Sequence, residues 1–468
     1  MCDKVEALLN WLNDSNCFHL SKKVGIVETA ESGRGVVVTE DKLIKNEIIV
    51  SVPSSHQINY HSVINHIYQF NRNIKVSGVI LTGEVPIYES ETNEKENTVE
   101  QDPRYKAYGY LTLEYIEKLT SFQLLTLYIL AEWHLLPCWS NNAIESFWLP
   151  FFNVWPTREE LRSIPATWNC SSESEYKHLI PFLTFESTSH MERISKLILI
   201  DWEIILPILN LWKQSFPGSF NIEELFNKYL HIYFVINSRC LYCEIPTRSE
   251  DIASNFTLVP FVDFLNHVPE VGVHCYPEIS TSKKKKYGIG EFSIRCGEKS
   301  YEIKGEQIFF NYGAHSNDFL LNEYGFVLDE NSWNHINLSE DIIALFRDNN
   351  EAMSFLKQHD YWGDYTISKT DISYRLLVAL SLLVTKDFRR VEKFISGYIS
   401  EDYFMPKINP LLTDILLNHL EECNKNKLAL ETFIDATESD TWCIENVITI
   451  YKGYEKILRI HLEGLVDN

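Results

Sequence analysis

No stretch of this sequence is apolar for long enough to cross a bilayer. The most apolar run, residues 376–385, lies between Arg375 and Lys386, and residues 194–212 are broken by Lys196, Asp201 and Glu203; a spanning helix needs about 20 apolar residues. The first residues carry Asp3 and Glu6 without an apolar targeting core, so no secretory signal is expected and the chain reads as intracellular. Basic residues are outnumbered: 42 Lys and Arg face 65 Asp and Glu, a net charge of −23. That balance argues against a protein built to grip phosphate backbones and suits basic partners. Cysteine is scattered, ten residues with a single C-x-x-C at Cys240 and Cys243. Zinc would need two further ligands, and His274 with Cys275 is the only nearby candidate, in a different segment. Thiols buried as small hydrophobes are the simpler expectation. No Ser or Cys stands in a G-x-S-x-G context, and no fixed-period repeat marks the C-terminal part.

What is present describes a folded chain. A 45% hydrophobic and 13% aromatic content with 23% charged residues is globular, and 468 residues allow two or three domains at about 150 each. Asp3 precedes a helical stripe of Val5, Leu8, Leu9 and Leu12. From Val24 to Pro53, β-branched clusters broken by Gly33, Gly35 and a charged turn predict a small antiparallel sheet. Residues 89–102 are acidic and nearly without aliphatics, which predicts an exposed loop. Residues 120–136 and 186–239 read as helices, with Asn221 as a cap. Strand-like runs return over 257–327, FTLVPFVDFL and GEQIFFNYG, with the lysine-rich turn 283–286 as a solvated hairpin tip. Beyond Asp329 the pattern is helical: Asn409 and Pro410 mark one start, and residues 442–465 keep a 3.6 spacing. The expected fold class is α+β: a β-rich core over 1–103 and 240–329, split by a helical insertion at 104–239 and followed by an all-helical domain at 330–468.

Four short segments carry chemistry-bearing residues. GRGVVV (Gly33–Val38) allows close backbone approach before a strand, but lacks the third glycine and following helix of a dinucleotide site; alone it reads as a β-turn. VPFVDFLNH (259–267) ends on Asp263, Asn266 and His267, polar groups that must find partners in the fold or on a ligand. GEQIFFNYG (305–313) delivers Tyr312 to a glycine turn. SNDFLLNEYGF (316–326) is a capped short helix with Tyr324 on its last turn, stopped by Gly325. Taken singly, these tyrosines are ordinary core aromatics.

In this order, together with SVP at 51–53, FWLPFFNVWP at 147–156 and NSRC at 237–240, the segments resemble SET-domain protein methyltransferases. The resemblance is to the class typified by the plant Rubisco large-subunit lysine methyltransferase, which includes ribosomal-protein, translation-factor and histone methyltransferases. It covers residues 20–330, and a helical tail is also a feature of that class. It implies S-adenosylmethionine as cofactor and a helical C-terminal domain that helps hold a protein substrate. Ser32, Gly33 and Arg34 would form the cofactor's backbone cradle, with Arg239, Asn266 and His267 lining the same pocket and Tyr312 both touching the cofactor and acting as the catalytic tyrosine. Asp263 and Tyr324 would border the channel for the target side chain. Cys243 departs from the pattern, standing near the place of a second basic residue.

The implied activity is lysine N-methylation of a non-histone protein, such as a ribosomal protein or translation factor, in the cytoplasm or nucleus, with no resident metal. A monomer without direct nucleic-acid or membrane contact is expected. Two alternatives remain: methylation of histidine on the same fold, and an inactive SET-fold interaction module, which cofactor binding would separate from an enzyme.

Overall fold

The computed structural model describes residues 3–15, 17–29, 33–40, 42–79, 81, 102–171, 174–245, 255–280, 289–436 and 441–466. The acidic segment 89–101, the lysine run 283–286 and Ser32 lie outside them. The chain forms two compact units, Met1–Leu161 with Ser195–Gly313, and Arg162–Ile194 with Ala314–Asn468. Residues 162–194, from the middle of the predicted insertion, thus belong to the second unit together with 314–329.

The first unit is built on a mixed eight-stranded sheet. Its strands are β1 (His19–Leu20), β2 (Val24–Thr29), β3 (Gly33–Val38) and β4 (Ile48–Val52); β5 (Ile58–Asn59), β6 (Leu241–Tyr242) and β7 (Phe256–Leu258) form a separate three-stranded sheet. The late strands of the main sheet are β8 (Asn266–His267), β9 (Cys275–Ile279), β10 (Phe292–Cys296) and β11 (Gln307–Phe310), in the order β1-β4-β10-β9-β11-β3-β2 with β8 on β11. The early strands do not form the sheet of their own that their spacing suggested. β2 and β3 make a hairpin, Val24 opposite Val38 to Thr29 opposite Gly33, whereas β4 joins β1 and β10. The reason is burial: β3 and β4 carry Val36, Val37, Val38, Ile49, Val50 and Val52, all buried. Strands this apolar need neighbours on both edges and cover on their faces, each buried side chain contributing roughly 1.5–3 kcal/mol. The late strands supply those neighbours.

FTLVPFVDFL is likewise not one strand. It breaks after β7 at the fully buried Phe261, which has φ +71°, and turns through a short 3₁₀ segment, Val262–Phe264, before β8. A buried aromatic in the positive-φ region is strained and persists only where its surroundings enforce it.

Helices flank the sheet in sequence. Asn221 accepts from the Glu223 N–H to cap Ile222–Arg239. Thr120 and Gln123 form a capping box on Ser121–Ile129, which continues through a π-helical stretch, Leu130–Leu135, into Leu136–Trp139. No helix among the described residues is long and apolar enough to cross a membrane.

The second unit is mostly helical, with one small sheet of β12 (His335–Asn337) and β13 (Thr366–Ser368). Its largest elements are the helices Met405–Ala436 and Trp442–Val466. Pro410 lies inside the first of these instead of starting it: Pro406 already sits at the second position, where its missing N–H costs nothing, and the exposed Pro410 ring follows within two turns. Asp318 is the unit's buried polar centre, accepting from Thr184, from Ser187 Oγ at 2.8 Å and from Tyr454 at 3.1 Å.

Candidate functional site

The site begins where β3 leaves its hairpin turn. Gly33 has φ +65°, a conformation that favours glycine. Two residues on, a Cβ added to Gly35 would collide with the side-chain amide of Gln307 and come within 3.1 Å of Asn266 Nδ2. Only a glycine leaves room for Asn266 to reach across and donate its Nδ2–H to the Arg34 carbonyl at 3.0 Å. β11 runs between them, Ile308 opposite Val36 and Phe309 opposite Asn266, so GRGVVV, the Asn266–His267 pair and the strand leading to Tyr312 are brought side by side.

Tyr312 is held from two sides. Its backbone N–H donates to His267 Nδ1 at 3.0 Å, which places the imidazole proton of a neutral His267 on Nε2, and its hydroxyl donates to the Leu265 carbonyl at 2.7 Å. The two rings lie 5.0 Å apart. Burial pushes the Tyr312 hydroxyl up to about 12, with Arg239 pulling down and Asp263 adding to the rise, so it remains protonated at neutral pH.

Arg239 ends its helix against the same turn. Its Nη1 donates to the Asp263 carbonyl at 2.7 Å and pairs with Asp263 Oδ2 at 3.2 Å. Burial raises the Asp263 carboxyl, and the Arg239 and Arg34 charges partly reverse that. With its side chain only 2% exposed, the Asp263 carboxylate is held against Arg239. Arg34 reaches the other way: Nη1 donates to the Val154 carbonyl at 2.5 Å and the guanidinium lies over Phe264, 5.3 Å from the ring centre. Glu160 joins this charge group. Burial opposes its ionisation, but two hydrogen bonds from Thr157 and the charges of Arg34 and Arg239 hold it below the usual carboxylate range.

Gly33, Arg34, Arg239, Asp263, Asn266, His267 and Tyr312 therefore all belong to the first unit and to one neighbourhood. Tyr324 belongs to the second unit, the last residue of the helix Asn317–Tyr324, which Ser316 caps and Gly325 ends at φ +81°; its ring lies 6.0 Å from that of Phe326. Sequence reading missed the Leu265 carbonyl, Phe264, Gln307 and Glu160. A carbonyl carries no side-chain signature, and Glu160 shows only as the end of a T-x-x-E box. Three of the four zinc candidates have other partners: Cys243 hydrogen-bonds Thr257, His274 Nδ1 meets the Tyr301 hydroxyl at 2.6 Å, and Cys275 also contacts Tyr301. Among the described residues no three His, Cys, Asp or Glu side chains cluster for a metal.

Comparison with known proteins places this geometry. The family described as ribosomal lysine N-methyltransferase 2 C-terminal domain matches residues 334–464. Ribosomal lysine N-methyltransferase 2 of Saccharomyces cerevisiae is 48% identical over 475 residues, covering 99% of both chains. SET domain-containing protein 4 of Homo sapiens is 23% identical, covering 68% of this chain and 70% of that protein. The solved SET domain of LSMT bound to lysine and AdoHcy superposes with a TM-score of 0.58 at 13% identity, covering 100% of this chain and 92% of the other, and carries the fold. By sequence over its whole length and by fold, the chain belongs to the ribosomal lysine N-methyltransferase 2 family of SET-domain proteins.

Proposed function

We propose that this protein is an S-adenosylmethionine-dependent protein-lysine N-methyltransferase acting on a ribosomal protein, in the cytoplasm or nucleus where such proteins are made and assembled. The observation that carries the reading is the convergence of Arg34, Asn266, His267 and Tyr312 across β3, β8 and β11. The substrate class rests on the relatives named for ribosomal lysine methylation.

The residues fit the cofactor. Two guanidinium groups suit a carboxylate, the left-handed Gly33 and the side-chain-free Gly35 suit close backbone approach, and the buried valines of β3 give apolar walls. When bound, the cofactor supplies an electrophilic methyl group on a positively charged sulfur. A lysine amine that accepts this methyl would need its nitrogen lone pair free. From a reference pKa of about 10.4, only about one lysine in 2,500 is neutral at pH 7, a cost of roughly 4.6 kcal/mol. Desolvation in the site would lower it, and the positive charge of the bound cofactor would act in the same direction, since both disfavour the ammonium. The amine gives its proton to water before attack.

Tyr312 does not act as the base, because burial keeps its hydroxyl protonated. Its O–H is committed to the Leu265 carbonyl, which leaves the oxygen lone pairs as acceptors that would take an N–H from the amine or a polarised methyl C–H. Holding nucleophile and methyl in line is the main source of rate. Neither a metal nor a covalent enzyme intermediate is required by this route.

The test is incubation with isotopically labelled cofactor and ribosomes from cells lacking the enzyme, followed by mass spectrometry of the labelled protein. Label on a lysine of one ribosomal protein is expected. Label on a histidine, on a non-ribosomal protein, or nowhere would overturn the assignment.

A further inference from the structure

Two of the scattered cysteines meet in the main sheet. Cys275 opens β9, Cys296 closes β10, and the antiparallel register sets them directly opposite each other. Opposed residues on antiparallel strands project to the same face, and both are buried, 6% and 0% exposed.

The hydrogen-bond pattern decides how close they come. Opposed pairs alternate between hydrogen-bonded and non-hydrogen-bonded, the latter with Cα atoms about 4.5 Å apart and side chains nearest. One register step past the start of the ladder, the Ser280 N–H donates to the Glu291 carbonyl at 2.8 Å, so that end is a hydrogen-bonded pair. Counting from Glu291 to Cys296 crosses an odd number of steps, which puts Cys275 and Cys296 in the non-hydrogen-bonded class. The backbone of Cys296 agrees: its N–H donates to Glu47 and its carbonyl accepts from Asn46, both away from β9. A separation of about 4.5 Å lies at the short edge of the disulfide window, roughly 4.4–6.8 Å. Close approach is enforced by the next residue, Gly297, where an added Cβ would collide with the carbonyl oxygen of His274.

We propose that Cys275 and Cys296 form a dithiol modification site, which hydrogen peroxide converts to a cross-strand disulfide. The balance is complete: the two thiols lose two electrons and two protons, both S–H bonds break as the S–S bond forms, and the peroxide O–O bond is cleaved to give two waters. One thiolate first attacks peroxide, leaving a sulfenic acid, and the second sulfur displaces water from it. Burial holds both thiols up, Cys275 to about 12 with the Cys296 thiol adding to the effect and Cys296 to about 11. The thiolate is therefore scarce at pH 7, and oxidation is slow and quickens as pH rises. The site lies next to the catalytic strand: Cys275 also pairs with Phe310 of β11, two residues before Tyr312, and contacts Tyr301, whose hydroxyl receives the Phe309 N–H at 3.2 Å.

The experiment treats the folded full-length protein, at low concentration, with hydrogen peroxide at pH 7 and pH 9, blocks remaining thiols, and maps the peptides without reduction. Expected is a peptide containing Cys275 joined to one containing Cys296, lighter than their sum by two hydrogens, forming on the order of a hundredfold faster at pH 9 as the thiolate fraction rises, and cleaved by dithiothreitol. Recovery of both as blocked free thiols, their conversion to sulfinic acids, or a link from either to another cysteine overturns the proposal. The mapping uses the unsubstituted protein, so it does not depend on the folding of a cysteine variant.

Discussion

Asn266 reaches 232 residues back along the chain to donate its side-chain amide to the Arg34 carbonyl. That bond ties the first strand of the site to the last ones, and Gly35 is what lets it form. Gly35→Ala should therefore act on ligand binding before it acts on the fold. The new methyl displaces the Gln307 side chain and presses on Asn266, an overpacking cost of about 1–3 kcal/mol. Calorimetric titration with S-adenosylmethionine should show at least tenfold weaker binding with a still cooperative melt; unaltered affinity would separate this cradle from the cofactor.

Tyr312→Phe removes the hydroxyl bonded to Leu265 and keeps the ring beside His267. Cofactor affinity should stay within about threefold, while turnover falls on the order of 10²-fold, the scale of losing one oriented dipole in a closed site. Equal loss of binding and turnover would assign Tyr312 to ligand binding alone.

The second unit has its own pH response. His335 Nε2 lies 3.3 Å from Glu186 Oε2, and that carboxylate raises the His335 pKa to about 9 against the opposing effect of burial. A histidine whose folded value is raised contributes stability that is fully present below its unfolded value of about 6.5 and is lost as pH climbs to about 9. The melting temperature should fall between pH 7 and 9.5, and the fall should be smaller in His335→Gln, measured by scanning calorimetry. Parallel curves for the two proteins would contradict the assignment.

Asp318 titrates in the same sense as His335, over a lower pH range. Burial and the nearby Glu186 raise it to about 6, with Thr184, Ser187 and Tyr454 opposing. Its charged form is the one the fold disfavours, so its contribution declines as pH rises from about 4 to 6. Asp318→Ala leaves three donors without their acceptor, at about 1–3 kcal/mol for each that water cannot reach. Denaturant titration at pH 7 should show a loss of several kcal/mol, whereas Asp318→Asn, which keeps acceptor capacity, should lose less. The reverse order would remove the hydrogen-bonded centre from the account.

Local signals in the chain were dependable where the physics is local. Asn221, Thr120 and Ser316 cap helices because a side-chain oxygen meets an unpaired N–H within three residues. Gly325 stops its helix because it alone adopts φ +81° cheaply. The motifs bearing Arg34, Asn266, His267 and Tyr312 were visible as residue types in order. Partners set by distant backbone were not visible. β4 was read with β3 because they are neighbours in sequence, yet it pairs with β10, and the Arg239 partner of the Asp263 carboxylate, 24 residues away, carried no sequence signal.

The sequence by itself determined an α+β pattern with no apolar run long enough for a spanning helix, and the caps and stops of its helices, since each depends on composition or on contacts a few residues long; the motifs that resemble a methyl-transfer site were visible only as residue types in order. Tertiary structure alone decided that Arg34 and Asn266 touch, that the Tyr312 hydroxyl faces the Leu265 carbonyl, and that Cys275 stands opposite Cys296. Such pairings are set by which strands must cover one another's apolar faces and by the parity of the ladder, and neither is written in any single segment.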